Sequence, residues 1–422
     1  MAALTLIHRD PTLAALESLL IQQGSSDTPR PYLGASQLGD ACARKVWYGF
    51  HWVLPRTFSV SSYRAIQDGH RGEAVMIEGL RKIPGVQLWT EDPEHPGQQI
   101  GFVDLAGHFR GHVDGVIEGL LQAPKTPHVW EAKVCNETKV RKLQKLIAEQ
   151  GEKQALDLWD EVYFAQAQIY MHYLGLTRHY LTAATPGVRD IVSCRTEYQP
   201  KAAKRLISLA KDIITGTRPP LKLSENAAWY QCKWCDYAPV CHGNAIPEVN
   251  CRTCAHSTAQ IDDSAPWKCE LHQRVIPVRE QRTGCPSHAF HPDLLANSAD
   301  PINADPKTGV LTYRRKVDSS EFKNGITGTR SRALRDQSLE KTTAVSIEET
   351  VMVDVATDMG IPPERLQSGE LSDEQDFPAL IQTVKRLSTL WEGDDRRLSA
   401  LRTLIENVDC AYTRLAERVQ IK

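Results

Sequence analysis

The feature that most constrains the fold is the stretch from Gly111 to Lys133, which reads as two β-strands around a proline-rich turn at residues 123–127. The first strand carries Asp114, and the second carries Glu131 and Lys133. Residues two apart on a strand point to the same face, so Asp114 on the neighbouring strand can meet Glu131 and Lys133. The pattern therefore predicts two carboxylates and one ammonium group at a single point of a sheet.

The chemistry of that combination leaves two interpretations. A lone Asp or Glu on an exposed hairpin is more often an ordinary surface charge, whereas two carboxylates beside a lysine at this spacing favour a site. Carboxylate oxygens suit Mg²⁺ or Mn²⁺, and such an ion lowers the pKa of a bound water and stabilises charge on a phosphate. Lys133 could then orient the water or neutralise the developing oxyanion.

This arrangement resembles the PD-(D/E)XK nuclease superfamily, in which an Asp ends one strand and a Glu-x-Lys motif occupies the next. Further motifs make residues 31–245 similar to RecB/AddB-type nucleases, a group with CRISPR-associated and phage members. The resemblance implies an α/β fold with a central mixed sheet flanked by helices, the restriction-endonuclease-like core. It also implies that Asp114, Glu131 and the Ala132 carbonyl hold Mg²⁺ or Mn²⁺, with Lys133 assisting the attacking water.

An acidic residue on the helix before the sheet is a further candidate. Residues 60–82 read as a helix that contains Gly-His-Arg-Gly-Glu at positions 69–73. In the related nucleases a Gly-x-x-x-(His/Glu) motif lies on this helix, and by that match Glu73 ligates the metal or positions it through water. RecB-like members usually have His here, so Glu73 is nearer to phage exonucleases. A lone helical Glu is usually solvated, and His70 is read as structural or close to DNA.

Gln166 and Tyr170 lie four residues apart in a helix predicted over residues 157–176, so they share one face. Gln-x-x-x-Tyr directly after the catalytic strands resembles another motif of RecB-type nucleases. There the Gln contacts the metal-bound water or the scissile nucleotide, and the Tyr lies near the DNA. Spacing alone leaves a competing pair, Gln168 and His172, open, and without the resemblance Tyr170 would be read as a core residue.

A basic helix predicted over residues 138–152 follows the second strand and carries Lys139, Arg141, Lys142 and Lys145. Most such runs are solvated faces. Because this one follows the candidate site, a solvated face and a surface that contacts DNA phosphates are about equally expected. The formal net charge of -2 does not by itself indicate a nucleic-acid partner, so any basic groove has to be local.

Composition argues against a membrane-spanning or globally disordered chain. Hydrophobic residues make up 41% of the 422 residues and charged residues 24%, which allows a large packed core. No run of about eighteen apolar residues is present. Residues 1–22 read as an amphipathic helix without the apolar block or cleavage site of a signal peptide. A cytoplasmic protein of two or three domains with no membrane partner is predicted.

Eleven cysteines in a reducing compartment indicate metal rather than disulfides. The first set consists of Cys42, Cys232, Cys235 and Cys241. Its Cys-x2-Cys-x5-Cys run after a distant upstream cysteine is similar to the iron–sulfur staple of AddB-type and CRISPR-associated nucleases, which implies a [4Fe–4S] cluster. Tetrahedral zinc on the same thiolates stays open. Cys135, Cys194 and Cys410 are read as buried or incidental thiols.

A second set falls within residues 250–288, a region too short to build a core without a staple. Its members are Cys251, Cys254, Cys269 and Cys285. Four cysteines with a tight leading pair predict a structural zinc ion. One of His256, His272 and His288 could replace a cysteine ligand, and a module without metal also stays open.

These observations predict five parts: residues 1–30 as a helix and linker, 31–248 as the nuclease domain, 249–295 as the zinc module, 296–345 as a linker and basic arm, and 346–422 as a helical region. In the last part, apolar residues from Leu398 to Val419 alternate three and four apart. That seam predicts either pairing between protomers, and hence a homo-oligomer, or packing within its own domain.

The resemblance implies a metal-dependent DNA nuclease, first of all an exonuclease, that hydrolyses phosphodiester bonds in recombination, repair or end processing. A catalytically silent DNA-binding or assembly subunit is the alternative, and it predicts an incomplete set of site residues. A zinc module that binds DNA by itself is a third interpretation. No Gly-x4-Gly-Lys-(Ser/Thr) motif is present, so any unwinding motor would be another chain, such as a helicase or recombination protein.

Overall fold

The computed structural model describes residues 10–25, 29–56, 58–262, 267–336, 351–352, 354–361, 365–366, 376–390 and 395–409. The chain divides into two compact units, Met1–Ser331 and Arg332–Lys422. Among the helices described, none has the length and apolar character needed to cross a membrane.

The secondary structure of the first unit alternates helices and short strands. Its described helices are α1 (Pro11–Ser25), α2 (Ala43–Phe50), α3 (Val60–Arg81), α4 (Glu137–Gln150), α5 (Glu152–Trp159), α6 (Glu161–Leu174), α7 (Pro200–Thr215), α8 (Tyr230–Lys233), α9 (Ala238–Cys241) and α10 (Val278–Gln281). Its described strands are β1 (Leu33–Gly34), β2 (Gln87–Trp89), β3 (Gly101–Asp104), β4 (Phe109–His112), β5 (Gly115–Glu118), β6 (His128–Val134), β7 (Arg178–Ala184), β8 (Ile191–Glu197), β9 (Ser257–Ala259), β10 (Trp267–Cys269), β11 (Arg274–Val275), β12 (Ala299–Ala304), β13 (Leu311–Arg315) and β14 (Glu321–Asn324).

A five-stranded mixed sheet organises this unit, in the order β2-β5-β6-β7-β8. Strands β6 and β7 are parallel, and the other neighbours are antiparallel. Helices α4 to α6 connect β6 to β7, because two parallel strands need a long crossover between them. The predicted central mixed sheet flanked by helices is confirmed.

Strand β6 is covered on both faces, and every residue from 128 to 132 is buried, including the polar His128 and Glu131. Val129 belongs to the main core, which also contains Ile169 of α6. Trp130, on the opposite face, belongs to a smaller core with Met76 of α3 and Ile117 of β5. The strand that carries the predicted site is therefore held between α6 on one side and α3 on the other.

Two predicted elements differ in their extent. The strand expected over residues 98–104 forms only as β3, and it lies in a separate three-stranded sheet with β1 and β4. The helix expected over residues 157–176 is broken at Asp160, whose backbone is extended. The Asp160 carboxylate accepts hydrogen bonds from the N–H groups of Val162 and Tyr163, so it caps the new helix α6.

Residues 299–324, read from the sequence as a linker and part of a basic arm, form a three-stranded antiparallel sheet of β12, β13 and β14. Tyr313 of β13 is fully buried, and its hydroxyl donates a hydrogen bond of 2.8 Å to the Phe290 carbonyl. This contact attaches the small sheet to the cysteine-rich region.

The described part of the second unit includes helices α11 (Asp376–Leu390) and α12 (Asp395–Asp409). Leu401 and Ile405 of α12 are buried in one cluster with Val355 and Val384. The first residues of the predicted apolar seam thus contribute to the core of their own unit. Its last three positions, Tyr412, Leu415 and Val419, lie outside the described residues.

Candidate active site

The three residues singled out on the two strands come together. Asp114 lies immediately before β5, and the β5–β6 register pairs the next residue, Gly115, with Trp130. The Asp114 carboxylate accepts a hydrogen bond of 2.8 Å from the backbone N–H of Ala132. The Lys133 ammonium donates a short hydrogen bond to Oε1 of Glu131. Ala132 therefore takes part in the site through its N–H, between the two side chains that share a face.

Helix α6 supplies the predicted Gln and Tyr. Gln166 Nε2 donates to Glu131 Oε1 over 2.9 Å and lies 3.3 Å from the Tyr170 hydroxyl. Both side chains are buried. A Cβ atom on Gly111 would come within 2.5 Å of the Tyr170 ring, so the ring reaches the site because Gly111 has no side chain.

The competing pair on the same helix faces the other way. Gln168 donates to the Glu197 carbonyl over 3.0 Å and accepts from the Gln199 N–H over 2.6 Å. His172 Nδ1 lies 2.7 Å from the Tyr198 hydroxyl. Gln168 and His172 therefore hold the end of β8.

Helix α3 brings the third carboxylate close. A Cβ atom on Gly72 would lie only 2.3 Å from the Val134 side chain, so the helix crosses β6 at a distance that glycine alone permits. The next residue, Glu73, is half-buried. Burial raises its pKa, the Asp114 charge raises it further, and the His70 and Lys133 charges partly offset both effects.

The electrostatics of the site are those of three carboxyl groups against one ammonium. Burial raises the pKa of Glu131 to about 7; the Lys133 charge opposes this shift, and the Asp114 charge adds to it. Burial also raises the pKa of Asp114, while Lys133 and the Ala132 N–H partly offset it. Buried Oε2 of Glu131 has no hydrogen-bond partner in the described part of the chain. The site has both a negative excess and an unsatisfied oxygen.

Lys133 stays charged in this setting. Burial by itself lowers the pKa of its ammonium group, but the Glu131 and Asp114 carboxylates more than reverse this effect, and its pKa is raised. Its Nζ also lies 5.1 Å from the centre of the Tyr163 ring. Tyr163 was not identified from the sequence, although it lies three residues before Gln166 on the same helix, a spacing that shares a face.

The basic helix contributes two of its four cations to this side of the molecule. Lys139 Nζ contacts Asp160 at 2.9 Å, and Lys142 Nζ donates to the Trp159 carbonyl over 3.1 Å. Arg141 and Lys145 instead form exposed ion pairs with acidic residues of their own helix, Glu137 and Glu149. Only Lys139 and Lys142 of this set turn towards the α5–α6 junction.

The site suits a divalent metal ion in its donor atoms and in its net negative charge. As the side chains of the described residues stand, no three His, Cys, Asp or Glu side chains are arranged to hold a metal ion together. The unsatisfied Glu131 oxygen and the neighbouring Asp114 carboxylate are nevertheless the hard oxygen donors that Mg²⁺ and Mn²⁺ take. A divalent cation would also balance the negative excess.

The first cysteine set is gathered around one cavity. Cys42, at the start of α2, lines a cavity of about 560 Å³ together with Cys232, Cys235 and Cys241. All four are free thiols. Residues almost two hundred positions apart thus meet at one place, as a four-thiolate staple requires, although the thiols are not drawn into ligand geometry.

In the second cysteine set, the structure distinguishes between the three candidate histidines. His272 Nε2 lies 3.8 Å from Cys285 Sγ, and the backbone N–H of His272 donates to Cys269 Sγ over 3.4 Å. His256 contacts the Gly309 carbonyl at 2.7 Å, and His288 lies 2.8 Å from the Ser331 hydroxyl. His272 therefore lies against two of the four thiols.

Comparison with known proteins adds little beyond this geometry. No family model matches the chain, and no curated protein matches it. Among solved structures, the crystal structure of SSO0001 is 15% identical and covers 55% of this chain and 96% of that one, with a TM-score of 0.34. An alkaline exonuclease from Laribacter hongkongensis, LHK-Exo, is 11% identical. It covers 46% of this chain and 90% of that one, with a TM-score of 0.30. The crystal structure of LHK-Exo in complex with dAMP is 12% identical. It covers 43% of this chain and 86% of that one, with a TM-score of 0.28. These scores are too low to support a function, which has to rest on the side chains above.

Proposed function

We propose that this protein is a metal-dependent deoxyribonuclease of the PD-(D/E)XK type that hydrolyses phosphodiester bonds. The observation that carries the proposal is the buried Glu131 carboxyl. Its Oε1 accepts hydrogen bonds from Lys133 and Gln166, and its Oε2 has no partner among the residues that the structure describes. Leaving a buried carboxylate oxygen unsatisfied is costly, so such groups are kept where a ligand completes them. Asp114 and Glu73 beside it make that ligand a cation.

Asp114, Glu131 and the Ala132 carbonyl are the groups that would hold Mg²⁺ or Mn²⁺, with Glu73 as a further carboxylate. When bound, the ion would lower the pKa of an attacking water and stabilise charge on the phosphate. The role of Gln166 is positional, because its amide donates to Oε1 of Glu131 and fixes the direction of the carboxyl group. The Ala132 N–H fixes Asp114 in the same way.

The proposed role of Lys133 is to stabilise negative charge on the phosphate and to orient the attacking water. Because its ammonium stays protonated beside two carboxylates, it can neutralise the pentavalent phosphate as negative charge develops and orient the attacking water by a hydrogen bond. Tyr170 closes the site on the side of α6, where its hydroxyl meets Gln166. The chain thus supplies a negative cradle for a cation and a fixed positive charge for the transition state.

Cleavage of DNA ends is the form of the activity that we propose, in recombination, repair or end processing. End-labelled linear and circular DNA, single- and double-stranded, incubated with Mg²⁺ and with Mn²⁺, tests it directly. An exonuclease degrades linear and spares circular DNA. Binding of DNA without cleavage under all these conditions would instead support a silent DNA-binding or assembly subunit.

The raised pKa of Glu131 predicts a pH dependence of metal binding. Below pH 7 the carboxyl holds a proton that a cation must displace, so the apparent affinity for Mn²⁺ should fall about tenfold per pH unit between pH 7 and 5 and level off above pH 7. Titration calorimetry with Mn²⁺ from pH 5 to 8.5 measures it. The Glu131→Gln variant should bind weakly with a flatter profile. A wild-type profile without a break near pH 7 would contradict the assignment.

We also propose that the two cysteine sets bind different metals, a [4Fe–4S] cluster at Cys42, Cys232, Cys235 and Cys241, and one zinc ion in the second set. Anaerobically purified protein should then be brown, with iron and sulfide each near four per chain and zinc near one. Cys42→Ser should lose the iron and keep the zinc, whereas the unclustered Cys135→Ser should keep both. Colourless wild-type protein with zinc alone would refute the cluster and leave the nuclease assignment untouched.

A further inference from the structure

One aromatic ring on the first turn of α6 lies beside two lysine ammonium groups. The centre of the Tyr163 ring is 5.1 Å from Lys133 Nζ and 5.3 Å from Lys139 Nζ. Both distances fall within the roughly 6 Å over which a ring face attracts a cation, and the attraction is stronger where water is excluded. The Lys133 side chain is 20% exposed, and Tyr163 is partly buried. The ring therefore contacts the lysine of the candidate site in a mostly dry place.

The two cations differ in what else holds them. Lys139 Nζ contacts the Asp160 carboxylate at 2.9 Å, so its charge is already balanced. Lys133 donates to Oε1 of Glu131, the carboxyl that is also proposed to bind the metal ion. A metal ion competes with Lys133 for that carboxyl, but it does not compete for the face of a tyrosine ring. The Tyr163 ring is thus the contact that can hold Lys133 both with and without metal.

The first turn of α6 is packed closely enough to fix the ring. A Cβ atom on Gly39 would lie 2.3 Å from the Val162 Cα, so the loop before α2 packs directly on the backbone next to Tyr163. The Trp159 ring centre lies 5.5 Å from that of Tyr163, and its indole N–H donates to the Lys139 carbonyl over 2.9 Å. A lysine side chain is a flexible four-carbon stem, so a rigid neighbour is what gives its ammonium group a defined position.

We infer that Tyr163 is a positioning residue that holds the Lys133 ammonium group beside the Glu131 and Asp114 carboxylates. A ring face attracts a cation without accepting its N–H groups, so the three donors of the ammonium stay available for carboxylate, water and phosphate. The ring fixes a group that acts in the transition state, so its loss should lower the rate rather than DNA binding. The effect on rate rests on the proposed nuclease function, whereas the position of Lys133 can be measured without cleavage.

The first test is a spectrum of the resting protein. Full-length protein is labelled with ¹³C at lysine Cε and measured without metal or DNA, and the Lys133 signal is the one that Lys133→Met removes. The ring current of Tyr163 should shift the Cε protons of Lys133 upfield of those of solvated lysines. Tyr163→Phe should keep this shift, and Tyr163→Leu should abolish it. Phe164→Leu is the matched control, because Phe164 lines a groove with Leu206 and Leu209 of α7. An unshifted Lys133 signal in the wild type overturns the inference, whether or not the protein cleaves DNA.

The second test separates positioning from simple packing. In single-turnover cleavage of end-labelled DNA, Tyr163→Leu should lower the maximal rate about 3- to 30-fold, the range for one cation–π contact, and change the half-saturating DNA concentration less than about twofold. Tyr163→Phe should restore most of the rate, and Phe164→Leu should cleave at the wild-type rate. Equal losses in Tyr163→Phe and Tyr163→Leu, or a loss confined to the half-saturating concentration, would contradict a positioning role. A ring shift in a wild-type protein that cleaves no DNA would sustain the placement of Lys133 and reject the enzyme.

Discussion

Replacing Lys133 with methionine is expected to reduce divalent-metal-dependent DNA cleavage by about 10²- to 10⁴-fold, the range for losing a group that carries charge or protons in a transition state. Methionine has a similar length and no charge. The ammonium that contacts Glu131 and neutralises Asp114 would be gone, while the oxygen donors for a metal ion remain. Single-turnover cleavage of end-labelled DNA with Mg²⁺ measures the change in rate.

Metal binding distinguishes this effect from simple damage to the site. Lys133→Met removes a cation that competes for the carboxylates, so its affinity for Mn²⁺ should be equal to or higher than that of the wild type. Asp114→Asn should lose both Mn²⁺ binding and cleavage. Exposed Lys82, directly after α3, pairs with Glu78 of that helix, and Lys82→Met is the matched control with unchanged cleavage. A folded Lys133→Met protein that cleaves DNA at the wild-type rate would show that Lys133 has no part in the reaction.

The part of the site that could be predicted from the sequence is the part set by local geometry. Asp114, Glu131 and Lys133 were identified because a strand repeats every two residues and a proline-rich turn returns the chain. Those are short-range rules, and the β5–β6 register obeys them. Glu73 was predicted only from the resemblance. A glutamate in a helical sequence does not indicate that the neighbouring Gly72 lets its helix pack closely against a strand.

The face of helix α6 could not be chosen from its pattern. Every residue from Ala165 to Met171 is buried, so the helix has no polar side from which to orient it. Gln166 and Gln168 are equivalent under such a pattern. Tertiary contacts separate them: Gln166 donates to the Glu131 carboxyl, and Gln168 donates to the backbone at the end of β8.

Long-range packing also decided elements that sequence patterns left as connections. Arg252 is 2% exposed, its guanidinium lies 3.8 Å from the centre of the Trp52 ring, and it donates to the Phe50 and Pro31 carbonyls. These contacts tie the start of the cysteine-rich region to residues about two hundred positions earlier. An arginine between two cysteines looks solvated in a sequence, because its partners are distant in the chain. The same holds for Tyr313 in β13.

The crossing of α3 over β6 leads to a prediction about stability. Gly72→Val is expected to lower the free energy of unfolding by about 1–3 kcal/mol, because an added Cβ would lie 2.3 Å from the Val134 side chain and 3.4 Å from that of Val188. Either the helix or the strand has to move. The displacement should also carry Glu73 away from Asp114 and lower cleavage. Urea unfolding and single-turnover cleavage measure the two effects.

Gly69 of the same helix is the matched control, because nothing lies within 4 Å of a Cβ atom placed there. Valine and glycine differ in helix propensity by only a few tenths of a kcal/mol, so Gly69→Val should change the free energy of unfolding by less than about 0.5 kcal/mol and leave cleavage intact. The two variants share chemistry and helix and differ only in what the side chain meets. Equal effects of both would show that close approach to Val134 does not position Glu73. A loss confined to Gly72→Val, recovered in part by Val134→Ala, would show that the crossing sets the distance between the third carboxylate and the sheet.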